Sequence, residues 1–234
     1  MSEQQTRFKQ QAAEHAVTFV KSGMIVGLGA GSTAVFALRK IAQLLAEGEL
    51  HDIAGIPCST VVEQEARSLG IPLTTLNDHP SIDLTIDGAD EVDPELNLIK
   101  GGGGALLREK IIAQASRREM IVVDQGKLSP RLGTQWAVPI EVLQFSWAVQ
   151  SRYLESLGAR VTLRESSGGT PFITDEGNFI LDCAFGPISN LDELAVQIIS
   201  QPGIVEHGLF LGLATDLIIA SEAGIRHVQR GQAL

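Results

Sequence analysis

Between Phe8 and Val123, short apolar runs alternate with longer amphipathic stretches, and that alternation leaves few folds open. Phe8, Ala12, His15, Ala16, Phe19 and Val20 recur at helical spacing, and Gly23 stands where a glycine would end the helix. Residues 24–28 read as a buried strand running into GLGAGSTA, and 35–45 as a second helix. A strand at 53–57, a helix at 61–69, strands at 72–76 and 82–86, a helix at 105–116 and a strand at 120–123 continue the series. Strands that alternate with helices in this way build βαβ units, hence a parallel sheet covered by helices.

The pattern changes after about residue 132: a strand at 138–143, a helix at 147–157 and a strand at 159–164 precede PFITDEGNFILDCAF. That stretch reads as two strands around the turn Asp175-Glu176-Gly177-Asn178. A helix over 190–200 follows, with Asn190 as its cap and Asp192 and Glu193 in its first turn, then a strand at 204–211. Residues 215–220 read as a last strand able to rejoin the first sheet. The expected organisation is an α/β domain of residues 1–132 and 212–234, with a smaller α+β domain of 133–211 inserted.

Charge and composition narrow the partners. A formal net charge of −10 disfavours nucleic acid and anionic membranes as ligands of the overall field, so an anionic ligand must be held by local donors. Cys58 and Cys183 are the two cysteines, and they match neither a metal-ligand spacing nor a disulfide framework. The start MSEQQTRFKQQ has no apolar signal core, and no uncharged apolar run reaches the length of a membrane span. A cytoplasmic protein is expected.

Three segments carry chemistry. GLGAGSTA sits between a strand and a helix, where glycines let backbone approach an anion and the helix start offers free N–H groups, with Ser32 and Thr33 adding hydroxyls. Gly29, Gly31 and Ala34 also match a dinucleotide fingerprint, but the second strand ends Cys58-Ser59-Thr60 without the acid that holds a ribose, so a phosphate-sized ligand fits better than NAD. DGADEVD places Asp87 and Asp90 around Gly88 and Ala89 at another strand end, as a tight loop would do to aim both carboxylates at one ligand. A solvated loop and a magnesium site on Asp87 and Asp90 are the alternatives. In KGGGGALLREK, glycine N–H groups beside Lys100 suit a developing oxyanion, and Glu109 near the helix start suits a base or a dipole partner.

Taken together, GLGAGSTA, TIDGADEVDPELNLIKGGGGALLREKIIA and VVDQGKLSPRLG resemble ribose-5-phosphate isomerases of type A, and ITDEGNFILD and PGIVEHGLF extend the likeness over nearly the whole chain. The resemblance implies a Rossmann-like parallel-sheet domain with a smaller ferredoxin-like α+β domain. It implies interconversion of ribose 5-phosphate and ribulose 5-phosphate in the non-oxidative pentose phosphate pathway, with no metal and no organic cofactor, by a homodimer or homotetramer.

The resemblance also implies roles. The family's D-G-A-D pair falls on Asp87 and Asp90, its K-G-G-G on Lys100, Gly101, Gly102 and Gly103, its general base on Glu109, and a substrate-binding lysine on Lys127. Its T-G-S-T loop falls on Ala30, Gly31, Ser32 and Thr33, and a lysine of the first helix on Lys9. Ala30 stands where the family usually has Thr, and Gly126 where it has Ser. Glu109 would move a proton between C2 and C1, Lys100 and the glycine N–H groups would offset the enediolate charge, Asp87 would help open the sugar ring, and Asp90 would bind hydroxyls. A CoA transferase, an amino-sugar-phosphate deaminase and a non-enzymatic sugar-phosphate sensor are the competing readings.

Overall fold

Apolar runs of four to six residues become the main strands here, and the longer amphipathic stretches between them become helices. The computed structural model describes residues 3–233, so the expected domain limits at residues 1 and 234 lie outside it. In chain order the elements are α1 (Glu3–Val17), β1 (Ile25–Leu28), α2 (Gly31–Ala46), β2 (Ala54–Pro57), α3 (Thr60–Ser68), β3 (Leu84–Asp87), β4 (Glu91–Val92), β5 (Leu98–Ile99) and α4 (Leu106–Ala115). They continue with β6 (Glu119–Asp124), β7 (Val138–Val142), α5 (Trp147–Ser156), β8 (Arg160–Leu163), β9 (Phe179–Ala184), α6 (Leu191–Ile199), β10 (Ile204–His207), β11 (Leu209–Phe210), β12 (Asp216–Ser221) and β13 (Gly224–Gln229).

The chain divides into two units. The first holds the residues up to Ala89, Arg108–Lys127 and those from Gly212 on; the second holds Asp90–Leu107 and Leu128–Leu211. The boundary expected at 132/133 therefore shifts, and the reason is hydrogen bonding. β4 and β5 pair with each other and β5 with β11, and the Glu91 carboxylate accepts the backbone N–H groups of Gly133, Thr134, Gln135 and Trp136.

The first unit is built on a six-stranded sheet ordered β13-β12-β6-β3-β1-β2. All neighbours run parallel except the edge pair β12 and β13. The edge strand GIRHVQ is too polar to read as a strand from sequence. Its core joins Ala12, Ala16, Val26, Leu28, Ile41, Ile86, Met120 and Ile218, all buried. After β1 the chain moves to one side for β2 and to the other for β3. The carboxyl ends of β1 and β3 thus form a switch point, the place where α/β sheets bind ligands.

The second unit runs β7-α5-β8-β9-α6-β10, with an antiparallel sheet ordered β10-β7-β9-β8. This is the split βαβ, ferredoxin-like pattern. Its core includes Val138, Ile140, Leu154, Leu181 and Ile198. Asn190 caps α6 as expected, its side chain accepting from the Glu193 N–H at 3.3 Å.

Three strand expectations change. Residues 72–76 give one bridge, Gly55 to Leu73, because Thr75 and Asp78 then bond each other and turn the chain away. Of the hairpin expected around 175–178 only β9 forms; Thr174 and Asn178 instead donate to the buried Glu141 carboxylate at 2.8 and 2.9 Å. The strand expected at 204–211 breaks at Gly208, whose missing side chain leaves room for the Lys100 carbonyl; β10 and β11 join different sheets.

Candidate active site

The last residue of β3, Asp87, is 1% exposed. Its Oδ1 accepts the Ala30 N–H at 3.0 Å and the Gly88 N–H at 2.7 Å. The glycine loop therefore spends its first free amide on a carboxylate of the protein itself, at the switch point. Gly29 makes this possible, since a Cβ there would lie 2.4 Å from the Asp87 Cγ.

Glu109 stands in the first turn of α4 and is buried. A carboxylate oxygen of Glu109, one of Asp87 and the Cys58 Sγ lie within 4.8 Å of one another. Two buried carboxylates held this close at a strand end can each exchange a proton with a bound molecule, the chemistry of general acids and bases. The sequence reading did not include Cys58 in the site; its position just past β2, beside the switch point, was the signal available. Among the described residues this trio has spacing that suits a metal ion, and a thiol with two carboxylates suits a zinc-like ion better than magnesium. Ser59 beside it is structural, capping α3 by accepting from the Val62 N–H.

Lys9 on α1 reaches the same loop, donating from Nζ to the Ser32 Oγ at 2.8 Å. Ser32 and Gly31 are exposed and Thr33 is buried at the start of α2. Gly88 and Ala89 are half-buried, and Lys127, half-buried, ends the short helical turn Gln125–Lys127 that follows β6.

The remaining expected residues belong to the second unit. Lys100 is 2% exposed, its backbone N–H donates to the Gly208 carbonyl at 2.9 Å, and its Nζ lies 5.5 Å from the Phe210 ring centroid. Gly101 takes a positive φ of 102°, and Gly102 and Gly103 are exposed. Asp90 accepts the Gly102 N–H on Oδ2 at 2.7 Å, and a Cβ on Gly102 would come within 2.7 Å of that carboxylate.

The structure separates the four acids of DGADEVD. Glu91 is fully buried and takes four backbone N–H groups. Asp93 accepts from the Glu95 and Asn97 N–H groups and the Asn97 side chain. Burial pushes the Asp93 carboxyl above its ordinary value, while the Asn97 and Glu95 bonds pull it back only in part. These two acids hold backbone in place, as Asp87 does for Ala30 and Gly88 and Asp90 for Gly102.

A parallel-sheet switch point lined by paired buried carboxylates defines the chain as an α/β enzyme of acid–base chemistry. The family model described as ribose 5-phosphate isomerase A (phosphoriboisomerase A) matches residues 54–224. The chain is 57% identical over 220 residues to a ribose-5-phosphate isomerase A of Chloroflexus aurantiacus, covering 94% of this chain and 92% of the relative. It is 55% identical to one of Desulfatibacillum aliphaticivorans, over 96% of this chain and 98% of the relative. A ribose 5-phosphate isomerase from Plasmodium falciparum superposes with a TM-score of 0.94 at 41% identity, covering 97% of this chain and 100% of the other. A D-ribose-5-phosphate isomerase solved in complex with phospho-erythronic acid gives 0.94 at 36% identity, covering 96% and 98%. The chain belongs to the ribose 5-phosphate isomerase A family.

Proposed function

We propose that this chain interconverts D-ribose 5-phosphate and D-ribulose 5-phosphate by aldose–ketose isomerisation, a step of the non-oxidative pentose phosphate pathway. The observation that carries the reading is the buried Glu109 carboxylate held beside Asp87 at the switch point. Family membership sets aside the CoA-transferase, deaminase and sensor readings.

In the open-chain aldose, Glu109 removes the C2 proton. The electron pair forms the C1=C2 bond and negative charge gathers on O1. Glu109 then returns its proton to C1, the proton of the C2 hydroxyl passes to O1, and C2 becomes the carbonyl. One carboxylate serves both transfers, and its efficiency depends on an affinity for the proton close to the working pH. We assign Asp87 to proton transfer in opening the furanose ring, Asp90 to a sugar hydroxyl, and Lys100 with the N–H groups of Gly101 and Gly103 to the enediolate charge, while the Gly102 N–H, bonded to Asp90, holds the loop in shape. Lys9, Ser32, Thr33 and Lys127, with the free amides of Gly31 and its neighbours, are assigned to the phosphate; the Lys9–Ser32 bond supports grouping them.

Two further assignments complete the proposal. The exposed side chains Leu143, Phe145, Trp147 and Val149, close together in sequence, support self-association as a homodimer or homotetramer, to be read by sedimentation. A cytoplasmic setting is supported by two buried, unlinked cysteines, and among the described residues no helix is long and apolar enough to cross a membrane.

The test is an isomerase assay with ribose 5-phosphate on EDTA-treated protein, followed by ketose formation. Ribulose 5-phosphate is the expected product; a folded protein that forms no ketose overturns the assignment.

A further inference from the structure

We infer that Arg164 is a positioning residue for the glycine loop Gly101–Gly103, fixing the amides that meet the enediolate. The inference rests on the isomerase reading above. Four successive glycines have more backbone freedom than any other sequence, and Gly101 and Gly104 both take positive φ, at 102° and 86°. Within the loop the Gly104 N–H donates to the Gly101 carbonyl at 3.0 Å, and the direction of the peptides at Gly102 and Gly103 is left to groups outside it.

Arg164 follows β8, and its backbone N–H bonds the Ile180 carbonyl of β9 at 2.9 Å. Its Nε donates to the Asp182 Oδ2 at 2.9 Å and its Nη2 to the Asp182 Oδ1. That bidentate fork fixes the guanidinium plane. The remaining nitrogen, Nη1, donates to the Gly101 carbonyl at 2.7 Å and to the Gly102 carbonyl at 3.2 Å.

Two consequences follow from peptide planarity. The Gly101 carbonyl and the Gly102 N–H are opposite ends of one peptide, and Asp90 accepts that N–H at 2.7 Å. A guanidinium at the oxygen and a carboxylate at the nitrogen thus grip the same unit and set its plane. In the next peptide the Gly102 carbonyl is turned to Arg164, so the Gly103 N–H points away from the guanidinium, on an exposed residue. A cation on the carbonyl also polarises that amide and makes its N–H a better donor. Donors aimed in advance at developing charge cost no reorganisation when the reaction occurs.

The test compares wild type, Arg164→Ala and Arg164→Lys with ribose 5-phosphate. Displacing the loop by about an ångström is expected to lower kcat of Arg164→Ala by ~10- to 100-fold with KM within about threefold. Millimolar guanidinium should restore part of that loss in Arg164→Ala and leave wild type unchanged. Arg164→Lys should recover little, because one ammonium cannot hold Asp182 in a fork and reach both carbonyls. A folded Arg164→Ala with kcat within twofold of wild type overturns the inference, as does a loss that guanidinium leaves untouched. Should Arg164→Ala fail to fold, Asp182→Asn keeps the cation and loosens its plane; a smaller fall in kcat supports the role, and wild-type kcat there overturns it. A wild-type protein inactive toward ribose 5-phosphate would instead sink the isomerase reading.

Discussion

Gly29 and Asp87 share one space: a Cβ on Gly29 would fall 2.4 Å from the Asp87 side chain and 2.5 Å from its Cα. The second distance matters more, because no rotamer of Asp87 relieves a clash with its own backbone. The Gly29 N–H also holds the Ile86 carbonyl at 3.1 Å, so the ends of β1 and β3 have no slack. Gly29→Ala should push the two strand ends apart, costing ~1–3 kcal/mol of stability and about 10²-fold in kcat/KM through the displaced carboxylate. Urea melts and steady-state assays read both, and wild-type values in each would show that the strand ends tolerate the methyl.

Glu109 is assigned both proton transfers, so Glu109→Gln, which keeps the shape and removes the basic oxygen, should lower kcat by ~10²–10⁴-fold. The same variant should stop exchange of the C2 proton of ribose 5-phosphate with solvent deuterium. Turnover close to normal in a folded Glu109→Gln protein would refute the base assignment.

Lys100 is buried against the Phe210 ring, so truncation to Ala removes packing as well as charge. Lys100→Met separates the two by keeping the stem. If the ammonium offsets enediolate charge, both variants should lose ~10²–10³-fold in kcat. A change confined to KM would assign Lys100 to ground-state binding instead.

The parallel unit was legible because its strands are apolar runs with glycine or acid at their ends, and β1, β3 and β6 emerge within a residue or two of the expected limits. β4 and β5 were not, since two-residue strands leave no periodicity to read, and the burial of Glu91 depends on amides of Gly133–Trp136 that sequence spacing does not bring near. The Ala30 to Thr33 loop was legible as the turn from a strand into a helix, but its use of the Ala30 amide for Asp87 depends on the register of β1 with β3. Arg164 carried no signal, because its partners lie in the glycine loop and on β9.

Ala30 occupies the N-cap of α2 with extended backbone angles, φ −105° and ψ 165°, and makes no side-chain cap bond. A hydroxyl there would satisfy one of the free N–H groups of the first turn. Ala30→Ser should raise stability by ~0.5–2 kcal/mol, seen as a higher urea midpoint at unchanged slope. No gain would mean that those N–H groups are already satisfied.

Asp216 gives the fold an acid limit. Burial alone would raise its carboxyl, but bonds from Arg118, Thr215 and His227 and the Arg118 charge outweigh burial and bring it down to about 2 from 3.8. The contacts are short: Arg118 Nη2 and His227 Nε2 each lie 2.8 Å from Oδ1, and the Thr215 hydroxyl donates to Oδ2 at 2.6 Å. A folded-state value below the unfolded one gives stability that is full above about pH 4 and lost as pH falls toward 2. The difference corresponds to on the order of 2 kcal/mol. Glu141 and Asp93, raised chiefly by burial, act in the opposite sense and gain stability as they protonate. Comparison with Asp216→Asn therefore isolates the Asp216 share. The stability difference between wild type and Asp216→Asn, measured by urea titration from pH 6 down to pH 3, should be largest at neutral pH and shrink as pH falls. A difference that stays flat across that range would show that the carboxylate keeps its charge equally well in the folded and unfolded chains.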